Sequence, residues 1–391
     1  MTRAMRLGLL AAMVVMLASP MPASGPRAAG ADGPGSPIPI LAYYYIWFEE
    51  ASWNRAKSDY SVLGRYQSDD RAVMRRHVRW AKAAGIDGFI VSWKSTLPLD
   101  RRLEQLIEVA GEESFKLAII YQGLDFERRP QPIERIAADL DHFIDTYAGD
   151  PVFDIFGGPP VVIWSGTWEY TPEQIGLVTG TRGLTSGCDW TSDLDPRCVQ
   201  LLATERNAEG VRRLAGLVDG NAYYWSSVNP DTFPGYEEKL LGMRDAIKET
   251  NGLWIAPAAP GFDARLIGGG TVVERRDGQT LRRELDAAHA SSPDAIGLIS
   301  WNEFSENTHV EPSENYGSTA LEVLADVAGG RPPDLSELDS SEPGIPPPQP
   351  TQDDATGRFA ALAVLVGAFG IGSFVIARRQ RRLPAGPIGP S

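Results

Sequence analysis

The sequence predicts an α/β fold, a closed (β/α)8 TIM barrel, and three observations carry that prediction. Short apolar runs alternate with longer amphipathic segments over about 290 residues, the pattern of a parallel sheet with helices outside it. The strand-like runs end on polar and aromatic side chains, which a barrel gathers on one face. The Gly-x-Gly-x-x-Gly phosphate turn of an open doubly wound sheet, the second choice, is missing after the first run.

Taken in order, residues 39–48 form the first strand-like run, short and rich in aromatic and branched side chains. An amphipathic helix follows over 71–84, and 85–93 is the second strand. Helix 101–112, strand 115–122, helix 132–147 and strand 160–164 continue the alternation. Later strands are expected over 222–226, 253–258 and 295–301, the last preceded by a helix over 281–290. No repeat of solenoid type is present.

The chain ends read differently from its middle. Residues 1–30 read as a signal peptide and leader: Arg3 and Arg6 precede an apolar run over 7–18 and a small-residue stretch over 19–25. That run is shorter than the roughly 20 residues of a retained span, so export is the expectation. The barrel domain is assigned to 37–330. From 331 to 356 the composition turns to Pro, Ser, Asp and Glu, including Pro346, Pro347 and Pro348, and such a stretch reads as an extended linker. Residues 357–378 read as a transmembrane helix, because 359–377 carries no charge and about 19 residues at about 1.5 Å each make roughly 30 Å. Arg378, Arg379, Arg381 and Arg382 follow the uncharged run at once, and the basic tail 379–391 marks the cytoplasmic side. The expected protein is a single-pass membrane protein with its barrel extracytoplasmic and its C-terminus cytoplasmic.

The 391 residues carry 51 acidic against 37 basic side chains, a net charge of −14. An acidic body repels nucleic acid and anionic headgroups, so the barrel is expected to bind neither, and a neutral substrate fits it better. No protein partner is implied. Cys188 and Cys198, the only cysteines, sit among Gly187, Asp189, Asp195 and Pro196, and one disulfide closing this turn-rich insert is expected of an exported protein. His77, His142, His289 and His309 form no pair at ligand spacing, so neither metal nor cofactor is expected.

The chemistry concentrates after the last strand. Trp301-Asn302-Glu303-Phe304-Ser305-Glu306 runs from an apolar strand into two carboxylates three residues apart. In an extended chain such side chains are separated by at most about 10 Å, within the range that paired carboxyls use in glycoside hydrolysis. One carboxyl protonates the leaving oxygen while the other acts as base or nucleophile. Around this pair, the strand ends supply candidate sugar-binding residues: Tyr44, Trp47, Trp93, Asp125, Tyr224, Asp263, Trp301 and Asn302. Glu311, before Pro312, reads as a hydrogen-bond acceptor that fixes the loop, and His309 as structural.

Four stretches resemble glycoside hydrolase family 99, the endo-α-mannosidases, and the wider family 71/99-like barrels. They are Tyr44-Tyr45-Ile46-Trp47-Phe48, the loop 63–70, the strand 84–93, and Trp301 to Glu306 with Val310-Glu311-Pro312. The resemblance implies that Glu306 is the general acid and then base at the glycosidic oxygen. It implies that Glu303 is the base at the sugar 2-hydroxyl, in a metal-free, configuration-retaining reaction through a 1,2-anhydro sugar. Phe304-Ser305-Glu306-Asn307 stands where those enzymes carry Trp-His-Glu-Gly, and 121–125 lacks their His-x-Glu-Pro. The expectation is a membrane-anchored glycosidase cleaving an α-linked glycan. The alternatives are a catalytically lapsed glycan-binding barrel and a polysaccharide-assembly transferase-like relative.

Overall fold

The computed structural model describes residues 38–125, 127–182, 199–333 and 335. The expected signal peptide (1–30), disulfide (Cys188 and Cys198), transmembrane helix (357–378) and basic tail (379–391) lie outside the described residues, as does most of the 331–356 linker. Among the described residues no helix is long and apolar enough to cross a membrane. The start of the stretch expected as a linker touches the barrel: the Arg331 N–H donates to the Ala83 carbonyl at 2.7 Å, and Leu335 packs against the core.

Eight parallel strands close on themselves: β1 (Ile40–Tyr45), β2 (Gly88–Trp93), β3 (Lys116–Gln122), β4 (Val161–Ser165), β5 (Gln200–Ala203), β6 (Gly220–Ala222), β7 (Leu253–Ala258) and, after a small hairpin β8 (Phe262–Asp263) and β9 (Val272–Val273), β10 (Ala295–Leu298). The order round the barrel is β1, β10, β7, β6, β5, β4, β3, β2, with β2 pairing back to β1 through Leu41 and Gly88. Alternation along each strand divides the core in two. Leu41, Tyr43, Ile90, Ile120, Ile163, Leu202 and Ile255 fill the lumen. Ala42, Tyr44, Phe89, Val91, Leu117 and Val162 face the helices.

The helices are α1 (Arg71–Ala83), α2 (Leu97–Glu112), α3 (Ile133–Thr146), α4 (Pro172–Arg182), α5 (Ala208–Arg213), α6 (Tyr236–Lys248), α7 (Gln279–Ala290) and α8 (Thr319–Ala328). The start of α1 follows from Asp70, whose carboxylate accepts from the N–H groups of Ala72 (2.9 Å) and Val73 (3.3 Å) and so satisfies donors the helix leaves free. Its buried stripe is Val73, Met74, His77, Val78 and Trp80, spaced at the helical period. It stops at Gly85, whose φ of +86° is open to glycine and where a Cβ would come within 2.5 Å of the Ala328 Cβ.

Three expectations need correction. The fifth strand was not foreseen: β5 is only four residues long and follows directly on the turn-rich insert. The sixth was expected over 222–226, but pairing ends at Ala222 and the chain then leaves the sheet. The last was expected over 295–301, yet pairing stops at Leu298, because Ile299 to Val310 folds back on itself, with Ser300 N–H donating to Thr308 O at 2.8 Å.

Candidate active site

The loop after β10 holds both acids at the C-terminal face of the barrel, where the β→α connections converge. Its path is fixed by its own backbone and by two buried polar clusters. Trp301 N–H donates to Tyr43 O (2.7 Å), Thr308 N–H to Glu303 O (3.3 Å) and Asp263 N–H to Glu306 O (2.7 Å). The Asn302 amide clamps the β1 backbone, accepting from Tyr45 N–H and donating to Tyr45 O, both at 2.9 Å.

In the first cluster Glu311 accepts from the hydroxyls of Ser61 and of Tyr66 (2.8 Å), with His77 Nε2 at 3.1 Å. In the second, Arg275 Nη2 donates to the carbonyls of Asn307 (3.0 Å) and His309 (2.7 Å), and its guanidinium lies 4.2 Å over the Tyr316 ring. His309 Nε2 lies 3.3 Å from Asp59 Oδ2, and its Nδ1 lies 3.3 Å from Arg275 Nη2. Burial first, and then the Arg275 charge, push His309 down to about 3. The ring is therefore neutral in ordinary buffers, with Nε2–H donating to Asp59 and Nδ1 accepting from Arg275.

Both candidate acids are almost fully buried, Glu303 at 6% exposure and Glu306 at 3%, and they differ in what surrounds them. Glu303 Oε1 accepts the Ser305 N–H at 2.9 Å. Burial raises the Glu303 carboxyl above its ordinary range, while that hydrogen bond and the nearby Lys57 ammonium pull it back. Glu306 Oε2 is a buried acceptor with no hydrogen-bond partner. Burial, and then the charge on Glu303, raise Glu306 well above the carboxylate range, opposed only by Arg128. The Glu303 charge reaches the Glu306 carboxyl, so the two acids share one buried site. When two acids share a site and one has the stabilising partners, the other holds the proton.

Two tyrosines complete this centre. The hydroxyls of Tyr45 and Tyr224 are 2.9 Å apart, and the charges of both glutamates bear on both of them. Trp47 stacks on Tyr45 with ring centroids 4.3 Å apart. Of the residues named from sequence, the structure thus brings together Glu303, Glu306, Tyr224 and Trp47.

The remaining residues lie elsewhere or are occupied. Tyr44 points outward, stacked on Phe89 at 4.5 Å with its hydroxyl 3.0 Å from His77 Nδ1; the lumen-facing parity belongs to Tyr45. Trp93 also faces the helices, against Phe143, with its indole N–H donating to Asp100 at 2.9 Å. Trp301 is fully buried against His77 and Phe89, outside the lumen. Asn302 is consumed by its clamp on β1. The Asp125 carboxylate takes two hydrogen bonds from Arg129, at 2.8 Å each. The Asp263 carboxylate is held by Arg265, whose Nη2 donates at 2.5 Å; only its backbone serves the site. Lys57 and Arg128 were not singled out from sequence; Tyr45 was named only as part of its motif, and only strand parity could have set it ahead of Tyr44.

The chain matches the model of glycosyl hydrolase family 99 over residues 48–325. It belongs to that family. Family 99 relatives include a zebrafish (Danio rerio) glycoprotein endo-alpha-1,2-mannosidase-like protein, 24% identical over 274 residues that cover 66% of this chain and 59% of the relative. The human counterpart is 23% identical, covering 65% and 57% respectively. The chain therefore spans less than two thirds of those relatives' length. Among solved structures, the family 99 endo-alpha-mannosidase of Bacteroides thetaiotaomicron superposes with a TM-score of 0.62 at 17% identity, over 74% of this chain and 95% of that one, a likeness of fold. Of the departures from the family motif beside the acids, Phe304 falls on a packing position: it is fully buried, stacked on His309 at 4.3 Å and against Trp53.

Proposed function

We propose that this family 99 member is a retaining glycoside hydrolase acting on an α-linked glycan. Glu306 is the general acid in this reading and Glu303 the base at the sugar 2-hydroxyl. The observation that carries the reading is the asymmetry of the pair: Glu303 is stabilised in its ionised form by Ser305 N–H and Lys57, while the bare Glu306 Oε2 is left to hold and deliver a proton.

In the first step Glu303 takes the 2-hydroxyl proton, O2 bonds to C1, the C1–O glycosidic bond breaks and its oxygen takes the Glu306 proton. In the second, water opens the resulting 1,2-anhydro ring at C1, giving a proton to Glu306, while Glu303 returns its proton to O2. Two attacks at C1 retain the configuration, and each carboxyl ends as it began. Tyr45 and Tyr224 border the ring site, and Trp47 gives it an aromatic wall. The relatives' names and the family's α-mannosidases support an α-mannoside as the first substrate to try. The reading extends to an exported enzyme tethered by 357–378 with its barrel extracytoplasmic, supported by the composition of the chain ends.

The test is hydrolysis of an α-mannan and α-glucan panel by the wild type, Glu306→Gln and Glu303→Gln, with product anomers followed by NMR. The reading expects turnover with retention and a loss of about 10²–10⁴-fold for each variant. Unchanged hydrolysis by Glu306→Gln would end it.

A further inference from the structure

Among the described residues most arginines are paired with carboxylates, for example Arg102 with Asp69, Arg135 with Asp139 at 2.7 Å, Arg213 with Glu205 at 2.6 Å, and Arg265 with Asp263 at 2.5 Å. With 51 acidic residues available, a cation left unpaired is not short of partners in general. Three cations on the catalytic face are nonetheless unpaired, and all three are half-buried. Arg128 follows β3, Arg206 follows β5, and Lys239 lies in the first turn of α6 after β6, so three of the C-terminal connections on one side of the barrel carry them.

Among the described residues none of the three forms an ion pair. Arg128 Nη2 is buried with no hydrogen-bond partner, on a residue whose φ is +64°. The Arg206 guanidinium is laid flat, 3.7 Å over the Trp168 ring. Lys239 Nζ stands 4.9 Å from the Trp225 ring and 5.3 Å from that of Tyr223. Electrostatically they form one strip leading away from the acids: Glu306 bears on Arg128, Arg128 on Arg206 and Arg206 on Lys239. Burial pushes all three below their ordinary pKa values. The other carboxylates within reach are Glu169, which is exposed, and Glu205, which Arg213 occupies.

Desolvating a charge without a partner is unfavourable, and a fold retains such groups where a ligand supplies the partner. Aromatic faces beside the cations suit a sugar ring, and the cations suit an oxyanion on it. We propose that the strip from Arg128 through Arg206 to Lys239 receives a carboxylate, sulfate or phosphate carried by a sugar near the scissile bond, so that the substrate is an acidic α-glycan. This revises the neutral substrate that net charge alone suggested: the overall charge sets the distant field, and the strip sets the field where the sugar binds. The inference rests on the hydrolase reading for the place of the glycan, and its test is separable from that reading.

The probes are sulfated, phosphorylated and glucuronate-bearing α-mannan and α-glucan oligosaccharides, each compared with its desulfated, dephosphorylated or carboxyl-reduced parent. Binding is measured by calorimetry on the Glu306→Gln variant and turnover on the wild type. At least one charged member is expected to bind about tenfold or more tighter than its parent, and which one does so identifies the oxyanion. Arg206→Gln and Lys239→Gln shrink that difference while Arg206→Lys keeps part of it, with circular dichroism to establish folding. Equal binding of every charged and neutral pair, or a difference that survives both Gln substitutions, overturns the proposal. Charged preference without turnover upholds the strip and sinks the hydrolase reading; turnover of neutral parents without charged preference does the reverse.

Discussion

Replacing Arg275 with methionine tests how the acids are held in place. Arg275, 7% exposed, gives hydrogen bonds to two carbonyls of the loop, Asn307 at 3.0 Å and His309 at 2.7 Å, one residue and three residues beyond Glu306. Methionine fills a similar volume but leaves both carbonyls without that donor, each at a cost of about 1–3 kcal/mol, partly offset because a desolvated guanidinium is removed. The net expectation is a loss of about 2–4 kcal/mol in denaturant unfolding. Hydrolysis should fall further than stability alone explains, since a displacement of about 1 Å at a catalytic group costs on the order of 10²-fold.

A second readout separates this cause from general damage. With Arg275 gone, the charge that depresses His309 is gone, and the Asp59 carboxylate remains beside its Nε2. The His309 pKa, about 3 in the wild type, should therefore rise in an NMR titration of the variant. In the wild type the folded value lies below the unfolded one, so this group stabilises the fold fully above about pH 6.5. That contribution is lost as pH falls toward 3. The variant should show a shallower acid loss. An unfolding midpoint equal to that of the wild type, or an unmoved His309, would refute the reasoning.

Three further substitutions address other parts of the account. Lys57, itself lowered to about 8 by burial, helps to keep Glu303 ionised, so Lys57→Met should move the acidic limb of the kcat/KM profile upward; an unmoved limb would remove Lys57 from the site. Glu284 on α7 is fully buried, its Oε2 accepting the Ala259 N–H at 2.6 Å, and burial raises it well above the carboxylate range. Its folded state keeps a proton that the unfolded state releases, so stability falls as pH rises above about 4.5, by up to about 1.4 kcal/mol per unit. Glu284→Gln should flatten that slope in thermal unfolding between about pH 5 and about pH 8, and an unchanged slope would contradict the assignment. Trp93→Ala should lose about 3–5 kcal/mol of stability while KM for a glycan stays within about twofold, and a selective KM effect would return Trp93 to the binding surface.

Much of the barrel was legible because hydrophobic period and strand context are local properties. Residues 85–93 and 115–122 read as strands, and 71–84 as a helix, since each carries its own pattern. The four- and three-residue strands β5 and β6 do not, and their place depends on neighbours already in the sheet. Side-chain direction was harder still. Tyr43, Tyr44 and Tyr45 offer no polar contrast, so a one-residue choice of parity exchanges a helix-facing ring for a site-facing one. The acids at 303 and 306 could be read because motif and strand end coincide. The pairing of Asp125 with Arg129 and of Asp263 with Arg265, and the lack of any such partner for Arg128 and Arg206, are decided in space and leave no trace in spacing.

The account stands most directly on the unequal roles of Glu306 and Glu303, and leaving-group dependence measures them. On an α-linked oligosaccharide, Glu306→Gln should lose about 10²–10⁴-fold in kcat/KM, but far less on the matched glycosyl fluoride, whose departing group needs no proton. Glu303→Gln should lose activity on both. Equal losses on the two substrates for Glu306→Gln, or a fluoride-rescued Glu303→Gln, would contradict the assignment of acid and base.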